Sequence, residues 1–170
     1  VFAPLYSDSI VKDITPKNVR WIHCSTQEIL LNESLCLLRV KGVEGFPEIY
    51  NTDWLDNKIT MSYCGRTLHW HWKRGVVPVV HNPLESLENL FNELTERGLT
   101  HLDIHPSGKN ICVSDGKLSI IDFGMCVRDN TPLSKQLKTL YDAWVDRGGY
   151  EYDIHVVLSS IHRRCIIKKV

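Results

Sequence analysis

Three side chains in the stretch His101–Gly124 (HLDIHPSGKNICVSDGKLSIIDFG) carry hard oxygens at informative spacings: Asp103, Asn110 and Asp122. Carboxylate and amide oxygens are the donors that hold magnesium, and a carboxylate can also take a hydroxyl proton. Two apolar runs, Ile111–Ser114 and Leu118–Ile121, lie between Asn110 and Asp122, separated by Asp115-Gly116. Asp-Gly is favoured where both central residues of a tight turn need positive φ, so the segment reads as a β-hairpin. A hairpin brings its two ends together. An aspartate, an asparagine and a second aspartate then converge at one sheet end, which suits a magnesium-phosphate site.

Other elements must hold these groups in place. Leu84, Leu87, Leu90, Phe91 and Leu94 follow helical spacing, so Leu84–Arg97 is predicted as a helix with one buried stripe and Gly98 just past its end. A short apolar strand then leads into His101-x-Asp103. A second helix is predicted over Gln27–Val40, with Ser25-Thr26 as the cap and Glu28 in its first turn. Phe46–Tyr50 and Lys58–Tyr63 read as two antiparallel strands joined around Asp56-Asn57. Two edge strands with a turn near Ser7-Asp8 are expected over Phe2–Asp13, and Trp21-Ile22-His23 as a strand or the run into a helix. Thr15–Asn18 is turn chemistry. Leu68–Trp72 (LHWHW) reads as a short helix; its histidines lack a third metal ligand. Thr131-Pro132 opens a helix over Leu133–Val145, broken by Gly148-Gly149, and the basic stretch Arg163–Lys169 reads as a solvated helix end.

HLD…N followed one hairpin later by Asp122-Phe123-Gly124 resembles the catalytic core of the protein-kinase-like superfamily, H-R-D-x-x-x-x-N and then D-F-G. Two departures stand out. Asn110 lies seven residues after Asp103 rather than five, with Ser107-Gly108 or their neighbours as the insertion, and Leu102 replaces the arginine that pairs a phosphorylated activation loop. The resemblance implies an ATP- and magnesium-dependent phosphotransferase. Asp103 then orients a substrate hydroxyl and accepts its proton, while Asn110 and Asp122 hold magnesium on the phosphates. Lys12, after Ile10-Val11, is similar to the family's phosphate-pairing strand lysine. Glu33 is its candidate ion-pair partner, with Glu28 as the rival. Met61 stands where a residue guards the adenine pocket, and the backbone of Ser62–Cys64 is where adenine bonds. Asp153, opening an apolar helical run, is similar to the aspartate that anchors the catalytic loop.

No G-x-G-x-x-G occurs, no A-P-E occurs, and only 28 residues separate Gly124 from Asp153. The implied fold is α+β: a minimal two-lobed kinase-like domain over 1–170, with a truncated N-lobe-like sheet (1–63) and a reduced helical C-lobe (64–170). Such compaction resembles atypical serine/threonine kinases and the superfamily's small-molecule phosphotransferases. The acceptor is therefore a protein substrate or a small-molecule hydroxyl. A non-catalytic, pseudokinase-like binding module is the alternative from another class, and a protein partner covering the truncated lobes fits any of these.

Composition narrows the partners. With 20 basic and 20 acidic residues among 170, the formal charge is zero, which gives no electrostatic reason for a nucleic-acid or membrane partner. No apolar run approaches the roughly 20 residues that span a bilayer, and no basic-then-apolar leader is present. The six cysteines show no CxxC or metal-ligand spacing, so free thiols in a reducing, cytoplasmic setting are expected.

Overall fold

The structure, a computed structural model, describes residues 8–15 and 25–170. It has a mixed α+β fold built in two parts. In the first, strands β1 (Ser9–Asp13), β2 (Ile49–Asp53) and β3 (Lys58–Ser62) form an antiparallel sheet in the order β1-β3-β2. Lys12 therefore lies on an edge strand, opposite Ile59. Helix α1 (Thr26–Arg39) covers this sheet with Leu30, Cys36 and Leu37, and the Ser34 hydroxyl bonds the Thr52 hydroxyl at 3.0 Å. Its start is a capping box: Ser25 Oγ accepts from the Glu28 amide and Glu28 accepts from the Ser25 amide, satisfying two otherwise orphaned donors.

The second part begins with β4 (Arg66–Thr67), α2 (Leu68–Lys73) and β5 (Val79–His81). Helix α3 (Pro83–Glu96) follows, burying Leu87, Leu90, Phe91 and Leu94; each contributes about 2 kcal/mol through removal from water. Arg97 closes α3, and Gly98 at φ 67° turns the chain into β6 (Leu99–Thr100). The hairpin β7 (Ile111–Ser114) and β8 (Lys117–Ile120) is joined by Asp115 (φ 50°) and Gly116 (φ 78°), the two positive-φ positions the Asp-Gly pair predicts. After β9 (Val127–Arg128), which pairs with β6, come α4 (Lys135–Asp146), α5 (Gly149–Arg164) and β10 (Ile166–Lys168). Val157 and Ile161 of α5 join the α3 stripe in one core.

Three expectations shift. The first strand of the 46–63 pair starts at Ile49 and runs on to Asp53: Pro47 has no amide to give a ladder, and Asp53 Oδ1 takes the amides of Leu55 and Asp56 at 3.0 Å to make the turn. Helix α4 starts at Lys135, because the Ser134 hydroxyl caps the Leu137 amide in place of Thr131-Pro132. Of the basic tail only Arg163 and Arg164 form a solvated helix end, the exposed last turn of α5. Cys165 leaves helical geometry (φ −130°, ψ 158°), and Ile166–Lys168 pairs in parallel with Val79–His81. The readings for Phe2–Ser7, Pro16–Asn18 and Trp21-Ile22-His23 lie outside the described residues. Among the described residues, no helix is long and apolar enough to cross a membrane.

Candidate active site

His101 ties the two loops at the hairpin's open end. It is fully buried, its Nε2 donates to the Ile121 carbonyl at 2.8 Å, and its Nδ1 accepts from the Asp103 amide at 3.2 Å. A carbonyl only accepts and an amide only donates, so the ring is neutral with its proton on Nε2. Burial holds its pKa below the ordinary histidine value, in agreement with a neutral ring. The residues beside these bonds, Leu102 (φ 64°) and Asp122 (φ 62°), occupy left-handed backbone, which costs a non-glycine residue about 1–2 kcal/mol. Strain of this kind persists only where surrounding bonds over-determine it. Phe123, fully buried, meets the edges of His101 at 5.2 Å and Phe46 at 6.2 Å and pins the second loop.

Lys12 enters this cluster from the sheet. Its Nζ lies 2.6 Å from Glu33 Oε1 and 3.0 Å from Asp122 Oδ1, and Asp122 Oδ1 also accepts the Gly124 amide at 3.2 Å. Burial pulls the lysine toward its neutral form, but the two carboxylates outweigh it and raise its pKa above 10.5. Burial likewise opposes ionisation of Asp122, and here the lysine wins and lowers the pKa. For Glu33 burial dominates and the pKa is raised, the lysine offsetting it only in part. Its Oε2 is buried without a well-formed hydrogen bond. Glu28 is engaged in the capping box, so Glu33 is the glutamate brought to Lys12.

Asp103 is held on both carboxylate oxygens. Asn110 Nδ2 donates to its Oδ2 at 3.0 Å and to its backbone carbonyl at 2.7 Å, while His105 Nε2 lies 2.7 Å from Oδ1. The two extra residues between Asp103 and Asn110 are taken up in a turn closed by the Gly108 amide on the His105 carbonyl at 3.1 Å. Gly108 (φ 74°) presses against α2: an added Cβ would stand 2.7 Å from Leu68 Cβ and 2.9 Å from Trp72 Cζ3.

The structure thus brings together Lys12, Glu33 and Asp122, and separately ties Asp103 to Asn110. A cavity of about 470 Å³ opens from this cluster, with Lys12, Glu33, Asp103 and Asp122 in its wall and Ile29 and Met125 among its apolar lining. Met61, Ser62 and Cys64 are not part of that wall. Met61 is buried in β3 opposite Ile10 and Ile49, Ser62 trades bonds with the Glu48 backbone at 2.8 and 2.9 Å, and Cys64 is half-buried beyond the strand.

One implied role moves to another residue. Among the described residues Asp153 makes no hydrogen bond to the loop that carries Asp103; its Oδ2 accepts from Trp144 Nε1 at 2.8 Å and its Oδ1 lies 4.0 Å from Arg147. The anchor is Tyr150, whose hydroxyl accepts the His101 amide at 3.1 Å and donates to the Leu99 carbonyl at 2.8 Å. It sits in the first turn of α5, its ring tilted against Phe91 at 4.7 Å and edge-on to Trp144 at 4.8 Å, so a long phenol reaches the loop where a short carboxylate one turn later does not. Sequence reasoning also passed over His105 and Asn32. A second histidine two positions after Asp103 was the available signal for the first. Asn32 adjoins Glu33; its Nδ2 donates to the Cys126 carbonyl at 2.8 Å and its Oδ1 accepts from Arg128 at 3.3 Å, joining α1 to the segment after Gly124.

No protein-family model and no curated protein matches the chain. Among solved structures, the kinase PK-1 of Cydia pomonella granulovirus is similar, at 16% identity over 62% of this chain and 43% of that one, with a TM-score of 0.46. The chain therefore spans less than half of that kinase structure.

Proposed function

We propose that this chain is a phosphotransferase of the protein-kinase type, using magnesium and ATP to phosphorylate a hydroxyl. The observation that carries the reading is the placement of Lys12 Nζ between Glu33 and Asp122, at 2.6 and 3.0 Å, on the cavity that Asp103 also lines. The donor set fits a magnesium-nucleotide. Lys12 offers an ammonium to phosphate oxygen, Asp122 offers a carboxylate held ionised, and Asn110 spends its amide nitrogen on Asp103, which leaves its amide oxygen as the hard donor. A bound magnesium-nucleotide supplies the transferable phosphoryl group and spreads its charge.

The chain's residues supply position and field, which is most of what this reaction needs from a protein. Glu33 braces Lys12 so that its ammonium points at the cluster, and His101 fixes Asp103 and Asp122 relative to each other through one ring. Asp103, on the cavity wall, is the carboxylate around which the acceptor hydroxyl is positioned. A serine or threonine side chain of a protein is the acceptor we favour. A small-molecule hydroxyl is the second acceptor class, favoured by the short span of 28 residues between Gly124 and Asp153, in which no A-P-E occurs.

The test is a thermal-shift titration with ATP, with and without magnesium, on wild type and Asp122→Asn. Stabilisation that requires magnesium and vanishes in the variant is expected, since a ligand that binds only the folded state must raise its apparent stability. Stabilisation by ATP with no need for magnesium turns the reading toward a non-catalytic binding module. No shift in either protein overturns the nucleotide site altogether.

A further inference from the structure

We propose that His105, paired with Asp103, takes the proton from the acceptor hydroxyl. The inference rests on the phosphotransfer reading and deepens it by naming the terminal base. His105 Nε2 stands 2.7 Å from Asp103 Oδ1. An ionised carboxylate can only accept, so a neutral His105 carries its proton on Nε2 and leaves a lone pair on Nδ1. Among the described residues Nδ1 makes no hydrogen bond, and the side chain is 53% exposed against 28% for Asp103. The other loop histidine, His101, is buried with both nitrogens committed and cannot do this work.

Asp103 is itself occupied on both sides, by His105 on Oδ1 and by Asn110 on Oδ2. A carboxylate bonded to one nitrogen of a half-exposed imidazole whose other nitrogen is unbonded matches the base-and-orienter arrangement that activates hydroxyl nucleophiles elsewhere. In the transfer step the acceptor O–H bond breaks and its proton passes to Nδ1. The freed oxygen bonds to the γ-phosphorus as the bond from that phosphorus to the leaving diphosphate oxygen breaks. The imidazolium so formed faces the Asp103 carboxylate, which stabilises it, and its exposure lets it return the proton to solvent.

Two variants and a chemical rescue test this, with water as the acceptor and ADP release as the signal. His105→Ala and His105→Gln are each expected to lower kcat about 100-fold, in keeping with the loss of a general base, while KM for ATP stays within about two-fold. Added imidazole is expected to restore turnover to His105→Ala. Full kcat in His105→Gln, or no restoration by imidazole, overturns the assignment and leaves the phosphotransfer reading standing. Wild type that releases no ADP and shows no magnesium-dependent stabilisation defeats the phosphotransfer reading, and the inference with it. A readout independent of turnover is the nitrogen-15 NMR spectrum of the imidazoles without nucleotide. His105 is expected as the Nε2-protonated tautomer, converting toward a mixture in Asp103→Asn; an Nδ1-protonated ring in wild type overturns the proposal. Both His105 variants are expected to keep the wild-type melting temperature, because the side chain is half exposed.

Discussion

The Tyr150 hydroxyl accepts the His101 amide at 3.1 Å and donates to the Leu99 carbonyl at 2.8 Å, so one phenol oxygen joins α5 to both sides of the turn into the loop that carries Asp103. Burial pushes its pKa well up, so it stays a neutral donor and acceptor. Tyr150→Phe keeps the ring between Phe91 and Trp144 but leaves a backbone donor and acceptor without partners. It is expected to lower stability by about 1–3 kcal/mol in urea denaturation. Asp153→Asn retains a side-chain acceptor for Trp144 and is expected to leave the loop anchor intact, which hydrogen exchange at the His101 amide checks. Faster exchange there in Asp153→Asn than in Tyr150→Phe contradicts the assignment.

The Lys12 ion pairs carry a pH signature. The lysine's pKa is raised above 10.5 in the folded protein, chiefly because Glu33 and Asp122 together outweigh the burial that would lower it. A group with a raised folded pKa binds its proton more tightly in the native state, so its contribution is complete below pH 10.5 and lost as pH climbs through the folded value. The stability difference between wild type and Lys12→Met is therefore expected to be constant near neutrality and to shrink above pH 10.5. A difference that grows in that range reverses the sign and refutes the pairing.

Gly108 answers to two constraints at once, its left-handed φ of 74° and the side chains of Leu68 and Trp72 facing its Cα. Gly108→Ala adds a Cβ 2.7 Å from Leu68 Cβ and is expected to lower the melting temperature, the backbone conformation alone costing about 1 kcal/mol. Gly42→Ala is the control: it has a similar φ of 79° and no atom within 4 Å of the added Cβ. Equal losses in the two variants mean that contact with α2 contributes nothing.

The parts of the fold that were legible in the sequence are those whose signals are local. Asp115-Gly116 fixed the hairpin, the leucine stripe fixed α3, and Ser25 with Glu28 marked the start of α1. Asp103, Asn110 and Asp122 could be nominated because a hairpin makes neighbours of its ends. What was hidden depended on which remote segments meet. Nothing near Ile166 announces that it pairs with Val79, because an edge β5 has to be present before that short apolar run has anything to join. Tyr150 was equally silent, since a tyrosine beside a Gly-Gly break gives no sign that its hydroxyl lands on a loop 49 residues earlier. Asp153 misled because a helix-opening aspartate has the right type, and only the geometry shows Trp144 within its reach.

Measured along the chain, the two halves of the candidate site close over very different distances. The Ile121 amide meets the Asn110 carbonyl at 3.0 Å across a hairpin turned in two residues, whereas Lys12 meets Asp122 across 110 positions. Each doubling of a flexible loop adds about 0.6 kcal/mol of closure entropy. The oxygen donors are thus held by a short-range unit that needs little of the molecule to form. The lysine that completes them arrives only when β1 has paired with β3 and the sheet has met the hairpin, so the site is whole only once both parts of the fold are in place.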